Sequence, residues 1–198
     1  MHITTIVGAL LLATQSAPAP DRLPQALIST AYGPIVMELD HRRAPVTACN
    51  FMRYASAGLY TDGRFFRSVS GPIHVVQAAT RQGSDDPGLG PIPLERTRDT
   101  GLSHVAGVVS MARDGPDTAT SSFFIVTHDS PSLDFGGGRN PDGQGFGAFG
   151  RVIEGMALLH HFQGFPTVAE HIQPTVAILS VIMLDPVPAA CANPSAGA

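Results

Sequence analysis

Apolar and polar residues alternate through Ile35-Val36-Met37-Glu38-Leu39, which follows the run Leu27-Ile28-Ser29-Thr30-Ala31-Tyr32 across Gly33-Pro34. Two such runs joined by a Gly-Pro turn predict a β-hairpin. The period then changes. Ala44-Pro45 opens a helix with proline near its first turn; Val46, Cys49, Phe51, Met52 and Tyr54 form a mainly apolar inner face, and Gly58 stops it. Asp62-Gly63 turns the chain into a strand at Phe65-Phe66-Arg67, Val75-Val76-Gln77 forms the next, and a glycine-rich stretch runs from Gly83 to Gly90. Val105 to Met111 and Phe123 to Val126 are further apolar runs bounded by turn residues. Gly136 to Gly145, with Asn140, Pro141 and Asp142, reads as an irregular loop, and loops of that length in compact domains are usually functional or inserted. Phe149-Gly150-Arg151-Val152 leads into a second helix around Ile153 to Phe162, where Met156, Leu158, Leu159 and Phe162 are the apolar positions. Val176 to Leu184 is a final strand.

The two ends read differently. Ile3 to Ala13 is an uninterrupted apolar run followed by Ser16-Ala17-Pro18-Ala19-Pro20, too short to span a bilayer and shaped like a secretory signal, although only His2 and the amino terminus precede it. The expected division is a signal peptide over residues 1–19, a domain over 26–186 and a disordered, Pro- and Ala-rich tail over 187–198; the alternative for the start is a buried first strand or a disordered segment. Export implies a periplasmic or secreted protein in an oxidising compartment, where Cys49 and Cys191 are able to pair. Sequence alone does not establish that pairing, and two free thiols, one in a helix and one in the tail, are the alternative.

Composition narrows the class. A chain of 198 residues that is 43% hydrophobic buries one substantial core. A net charge of -4 with only 12 Lys plus Arg gives no basic surface for nucleic acid. The 21 glycines and 17 prolines, spread between short apolar runs, suit a turn-rich β protein.

Arg67 among phenylalanines is either a surface side chain lying over its neighbours or part of a site, since a charge that is never lost is seldom buried unpartnered. Alternation puts Val75 with Gln77 on one strand face, and Ser122 with Phe124 on one face of another. A face carrying Arg67, Gln77 and Phe124 together would be an apolar depression with a few fixed donors, as in small-ligand and peptide sites.

The succession Phe65-Phe66-Arg67, Val75-Val76-Gln77, Ser110-Met111-Ala112-Arg113, Ala119-Thr120-Ser121-Ser122-Phe123-Phe124-Ile125 and Phe149-Gly150-Arg151-Val152 resembles the cyclophilin-type peptidyl-prolyl cis-trans isomerases, most of all their bacterial branch, from about Ala26 to Leu184. The resemblance implies a mainly β fold: a closed eight-stranded antiparallel β-barrel capped by two α-helices. It implies Arg67 as catalytic arginine and Gln77 as the residue holding it. Phe124 becomes the aromatic floor of a proline pocket, with Leu133 and Phe146 lining it and Val75 where methionine is usual. Ala112 and Arg113 fall where backbone pairs with a bound peptide, a sequence-tolerant mode of recognition. The departures are a longer hairpin with its turn at Ser68 to Ile73, His74 in the place of the usual pocket phenylalanine, Ser122 for a frequent glutamine, and Ser132 where many eukaryotic members have tryptophan. His74 and Ser122 are included among the expected substrate-binding residues.

The implied activity is isomerisation of X-Pro bonds by a monomer acting on proline-containing polypeptides or unfolded proteins, with exported proteins as clients, no cofactor, no metal, and no membrane attachment in the mature form. The alternative is a peptide-binding barrel with little or no turnover. Gly145-Phe146-Gly147-Ala148-Phe149-Gly150 has dinucleotide-loop spacing but follows a polar loop, and His160-His161 point apart on a helix, so neither suggests a ligand site.

Overall fold

A computed structural model describes residues 22–83 and 86–192 of the chain. The expected signal segment at 1–19 lies outside them. The Gly33-Pro34 hairpin forms as β1 (Gln25–Thr30) paired antiparallel with β2 (Gly33–Leu39). After helix α1 (Pro45–Ser56) come β3 (Arg64–Ser70) and β4 (His74–Ala79), a one-turn helix α2 (Thr97–Thr100), then β5 (Val108–Met111) and β6 (Phe123–His128). A short 3-10 turn (Pro131–Leu133) precedes β7 (Gly147–Glu154) and helix α3 (Met156–Gln163); β8 (Thr167–Val168), β9 (His171–Met183) and a last turn α4 (Ala189–Ala192) complete the chain.

Around the sheet the order is β1-β2-β7-β5-β6-β4-β3-β9, and β9 pairs back onto β1. Every pairing is antiparallel, so among the described residues eight strands close into a barrel and β8 hangs on β9 as a short hairpin partner. Closure removes the free edges that an open sheet would expose. The long β9 makes it possible: Val176 and Ala177 pair with β3, and Ile178 to Met183 pair with β1.

The barrel is filled by aromatic and branched side chains. Phe51 of α1 lies 5.1 Å from the Tyr60 ring, 5.3 Å from Phe123 and 5.5 Å from Phe149, centroid to centroid, while Phe65 meets Phe162 of α3 at 5.5 Å. All of these are fully buried, each burial contributing about 1.5–3 kcal/mol. Tyr60 retains a partner for its hydroxyl, which donates to the Ser121 carbonyl at 2.8 Å. The helices α1 and α3 are the two expected caps, α1 against β7 and β9 and α3 against β2, β3, β4 and β6.

Local differences from the sequence reading have physical causes. Val46 is exposed and not on the inner face of α1; it sits beside Pro45 at the helix start, where Glu95 reaches in to accept the Val46 and Thr47 N–H groups at 3.0 and 2.8 Å. That distant carboxylate does the work of a cap, since no local side chain does. The second helix starts at Met156 and not at Ile153, because Gly155 adopts a left-handed φ of 96° where a Cβ would meet the Pro34 carbonyl at 2.8 Å. The last strand begins at His171, earlier than Val176, since its polar first residues pair with β8 and β3 at the barrel rim. The expected tail is ordered at its start: α4 packs on α1, Cys191 is buried, and Cys49 and Cys191 form a disulfide. Residues 193–198 lie outside the described part.

Candidate active site

One row of the β ladder carries the site. Arg67 of β3 faces Gln77 of β4, Gln77 faces Phe124 of β6, Phe124 faces Ser110 of β5, and Ser110 faces Ala148 of β7. Directly paired residues share a face, so the row lies on the outside of the barrel, while the neighbouring row of Phe65, Ala78 and Phe123 points into the core. Phe65 and Arg67 would share a face in a regular strand. The register shifts between them, leaving Phe66 opposite no residue of β4, and this bulge lets β3 send Phe65 inward and Arg67 outward.

Arg67 is fixed by three N–H donations. Its Nη1 donates to the Gln77 side-chain oxygen at 3.0 Å, and its Nε and Nη2 donate to one oxygen of Glu170 at 2.9 and 2.6 Å. Gln77 is held in turn: its amide donates to the Ser122 hydroxyl at 3.0 Å, and Ser122 donates to the Ala78 carbonyl at 3.1 Å. The smaller serine thus leaves no gap in the hydrogen-bond chain, which runs from Glu170 to a backbone carbonyl of β4.

Beside this polar string lies an apolar cluster separate from the barrel core, comprising Val69, Ile73, Val75, Phe124, Val126, Leu133 and Phe146 among others. Of these, Ile73, Val75, Phe124, Leu133 and Phe146 border a cavity of about 350 Å³. Phe124 forms its floor and meets Phe146 edge to face at 5.4 Å. Leu133 comes from the 3-10 turn, and its carbonyl accepts the Phe146 N–H at 3.0 Å, tying two walls together. Beneath Phe124 stacks the buried His104 ring, whose Nδ1 and Nε2 lie 2.7 Å from Asp134 and 3.0 Å from Ser110. Burial pushes the Asp134 carboxyl up, but hydrogen bonds from the His104 ring and backbone outweigh it and hold the group below its ordinary value.

Of the expected site residues, Arg67, Gln77, Val75, Ala112, Arg113, Ser122, Phe124, Leu133 and Phe146 all line the cavity. His74 does not. Ile73, Val75 and Gln77 share the outer face, so Ile73 is the lining residue, and the His74 ring packs against His128 at 4.9 Å, away from the cavity. The longer hairpin is also tighter than expected, with β3 and β4 paired out to Ser70 and His74. Arg113 plays a part the sequence did not suggest. Its side chain is almost wholly buried, donates to the Gly145 carbonyl at 2.7 Å and to both Asp142 oxygens at 2.7 and 2.9 Å, and lies 5.1 Å over the Phe146 ring. It clamps the glycine-rich loop that carries Phe146.

Glu170, Ile73 and His104 were missed. Ile73 was recoverable from alternation alone, and His104 only as a polar residue ahead of an apolar run. Nothing in the pattern around Ala169-Glu170 marks a turn that returns to Arg67.

The chain is similar to known proteins in sequence and in fold. The family model for cyclophilin type peptidyl-prolyl cis-trans isomerase/CLD matches residues 26–183. The peptidyl-prolyl cis-trans isomerase A of Dickeya dadantii is 34% identical over 138 residues, covering 67% of each chain. A Streptomyces antibioticus peptidyl-prolyl cis-trans isomerase, cyp18, is 32% identical over 157 residues, 79% of this chain and 93% of its own. In fold, the chain is similar to the crystal structure of a Cryptosporidium parvum cyclophilin type peptidyl-prolyl cis-trans isomerase, with a TM-score of 0.69 at 23% identity over 83% of this chain and 99% of that one.

The Arg113 clamp has a pH signature. The Arg113 hydrogen bonds, with the Gln144 N–H and the nearby Arg113 and Arg96 charges, lower the Asp142 carboxyl from 3.8 to about 2. A depressed carboxyl stabilises the folded loop above its unfolded value and loses that contribution as pH falls through about 2. An NMR titration of the Asp142 carboxyl is expected to give a midpoint near 2 and, in Arg113→Ala, one returned toward 3.8. A wild-type midpoint at the unperturbed value would show that the fork does not form in solution.

Proposed function

The chain belongs to the cyclophilin-type peptidyl-prolyl cis-trans isomerases and is a peptidylprolyl isomerase; from that premise we propose that the cavity beside Arg67 is where the X-Pro bond turns and that Arg67 is its catalytic residue. The observation that carries this is the ladder row in which a doubly held guanidinium stands next to an aromatic-floored apolar pocket.

The chemical task is rotation without bond making. Resonance gives the prolyl C–N bond partial double character and a barrier of about 18–20 kcal/mol. Turnover therefore requires a site that binds the twisted amide better than either planar isomer. As the bond twists, the prolyl nitrogen pyramidalises and regains a lone pair. A guanidinium has five N–H donors; with three engaged by Gln77 and Glu170, Arg67 keeps two for that lone pair. Phe124, Leu133, Phe146 and Val75 grip the pyrrolidine ring, and Ile73 replaces His74 in that wall. Backbone near Ala112 and Arg113 pairs with the extended peptide. Because the donor is oriented before the substrate arrives, its stabilisation is not spent on ordering the side chain. No group or electron is transferred, so the reaction asks for no cofactor.

Two features favoured a binding module without turnover, and neither stands against catalysis. His74 lies off the cavity, and Ser122 completes the support of Gln77.

The clients we propose are proline-containing chains folding outside the cytoplasm. Two features support this reading. The Ile3 to Ala13 run has the shape of an export signal, and the Cys49–Cys191 disulfide is of a kind that persists in oxidising compartments.

In a protease-coupled assay on a proline peptide, Arg67→Ala is expected to lower kcat/KM by about a hundredfold, the scale for removing a pre-oriented donor; a wild type no faster than this variant would sink the catalytic assignment. For export, mass spectrometry of protein recovered from its native cells is expected to find an amino terminus near Pro20 and a linked Cys49–Cys191 peptide pair. A retained Met1 with free thiols would overturn that part.

A further inference from the structure

Arg67 is gripped from a second side by a residue whose backbone is strained. Val168 of β8 and His171 of β9 are paired, so Ala169 and Glu170 form the whole of a two-residue hairpin loop. Both have positive φ, 49° and 68°. Residues with a Cβ rarely adopt that conformation, and such loops normally use Asn-Gly or a similar pair.

The strain has to be offset by something Glu170 supplies. Its carbonyl accepts the Ser68 N–H at 2.8 Å, but any residue at this position, glycine included, would offer the same carbonyl. What only the glutamate supplies is its carboxylate, on which Arg67 places both Nε and Nη2. With the Glu170 side chain 46% exposed, this ion pair contributes little to folding in water. A residue that costs backbone strain, adds little stability and touches the proposed catalytic group is placed for function.

We propose that Glu170 is a positioning residue for Arg67. The inference rests on the reading of Arg67 as the catalytic arginine. Gln77 alone would leave the guanidinium free to pivot about the Nη1 contact; a second support on the Nε and Nη2 edge fixes its plane. The carboxylate accepts from both Nε and Nη2 of the planar guanidinium and so sets its orientation. The remaining N–H donors then keep one direction relative to the Phe124 floor. The β8–β9 turn, at the rim outside the closed barrel, becomes part of the active site through this contact.

The test compares the full chain with Glu170→Gly, Glu170→Gln and Arg67→Ala. Glycine relieves the left-handed conformation and removes the carboxylate, so a purely structural residue would tolerate or welcome it. The expected result for Glu170→Gly is a thermal midpoint equal to or above wild type, kcat lowered about tenfold and KM within about twofold, the pattern of an interaction used only in the transition state. Glu170→Gln keeps an acceptor oxygen and is expected to recover most of the rate. The Arg67 Nε–H resonance should shift in Glu170→Gly, a reading independent of turnover. Wild-type kcat in Glu170→Gly, or a loss of rate that follows a lowered thermal midpoint, would overturn the role of Glu170 alone. A wild type no faster than Arg67→Ala would instead overturn the reading of Arg67, and this inference with it.

Discussion

The site depends on one extra residue in β3. A regular strand would place Phe65 and Arg67 on the same face, and either the core would lose an aromatic ring or a permanent charge would enter it. The bulge at Phe66 separates the two demands. Phe65 packs against Phe162 and Phe123, while Arg67 stands outside against Gln77. The rigidity of the donor is thus borrowed from the core, since the same short segment is pinned by buried aromatics on one side and by ladder pairing with β4 and β9 on the other.

From that point the rest of the geometry follows the ladder. Neighbouring strands lie about 4.8 Å apart, so Arg67 and Phe124, two strands from one another, are set roughly 10 Å apart at the backbone. The polar string from Glu170 through Gln77 to Ser122 borders the apolar cluster of Val75, Phe124, Leu133 and Phe146. Two clamps complete it from outside the row: Arg113 holds the loop that bears Phe146, and His104 with Asp134 braces Phe124 and the turn that bears Leu133. Each wall of the pocket has its own buried or paired anchor.

Much of this was legible in the sequence because it is periodic or belongs to a motif. The Ile35 to Leu39 alternation, the apolar face of α1 and the Arg67, Gln77 and Phe124 positions all carry local signals, and the closed eight-stranded barrel was implied by the family resemblance that those motifs carry. What was not legible depends on contacts distant in sequence or on single-residue shifts of register. Val46 looked like core until Glu95 claimed the helix start. His74 looked like a pocket residue by its place in a motif, although the alternation from Gln77 back to Ile73 points to Ile73. Glu170 reaches Arg67 from a turn with no turn residues in it, and Cys191 is drawn out of the expected tail by a bond to Cys49. The face switch at Phe66 leaves no mark in composition at all.

The central claim is that catalysis here comes from holding Arg67, beyond merely possessing it. NMR exchange spectroscopy of a proline peptide bound to Gln77→Met, a change that keeps the length of the side chain and removes its hydrogen bonds to Arg67 and Ser122, tests this most directly. The account predicts that cis-trans exchange on the protein slows by about tenfold or more while the peptide dissociation constant stays within about twofold. Exchange at the wild-type rate with Gln77 gone would contradict it.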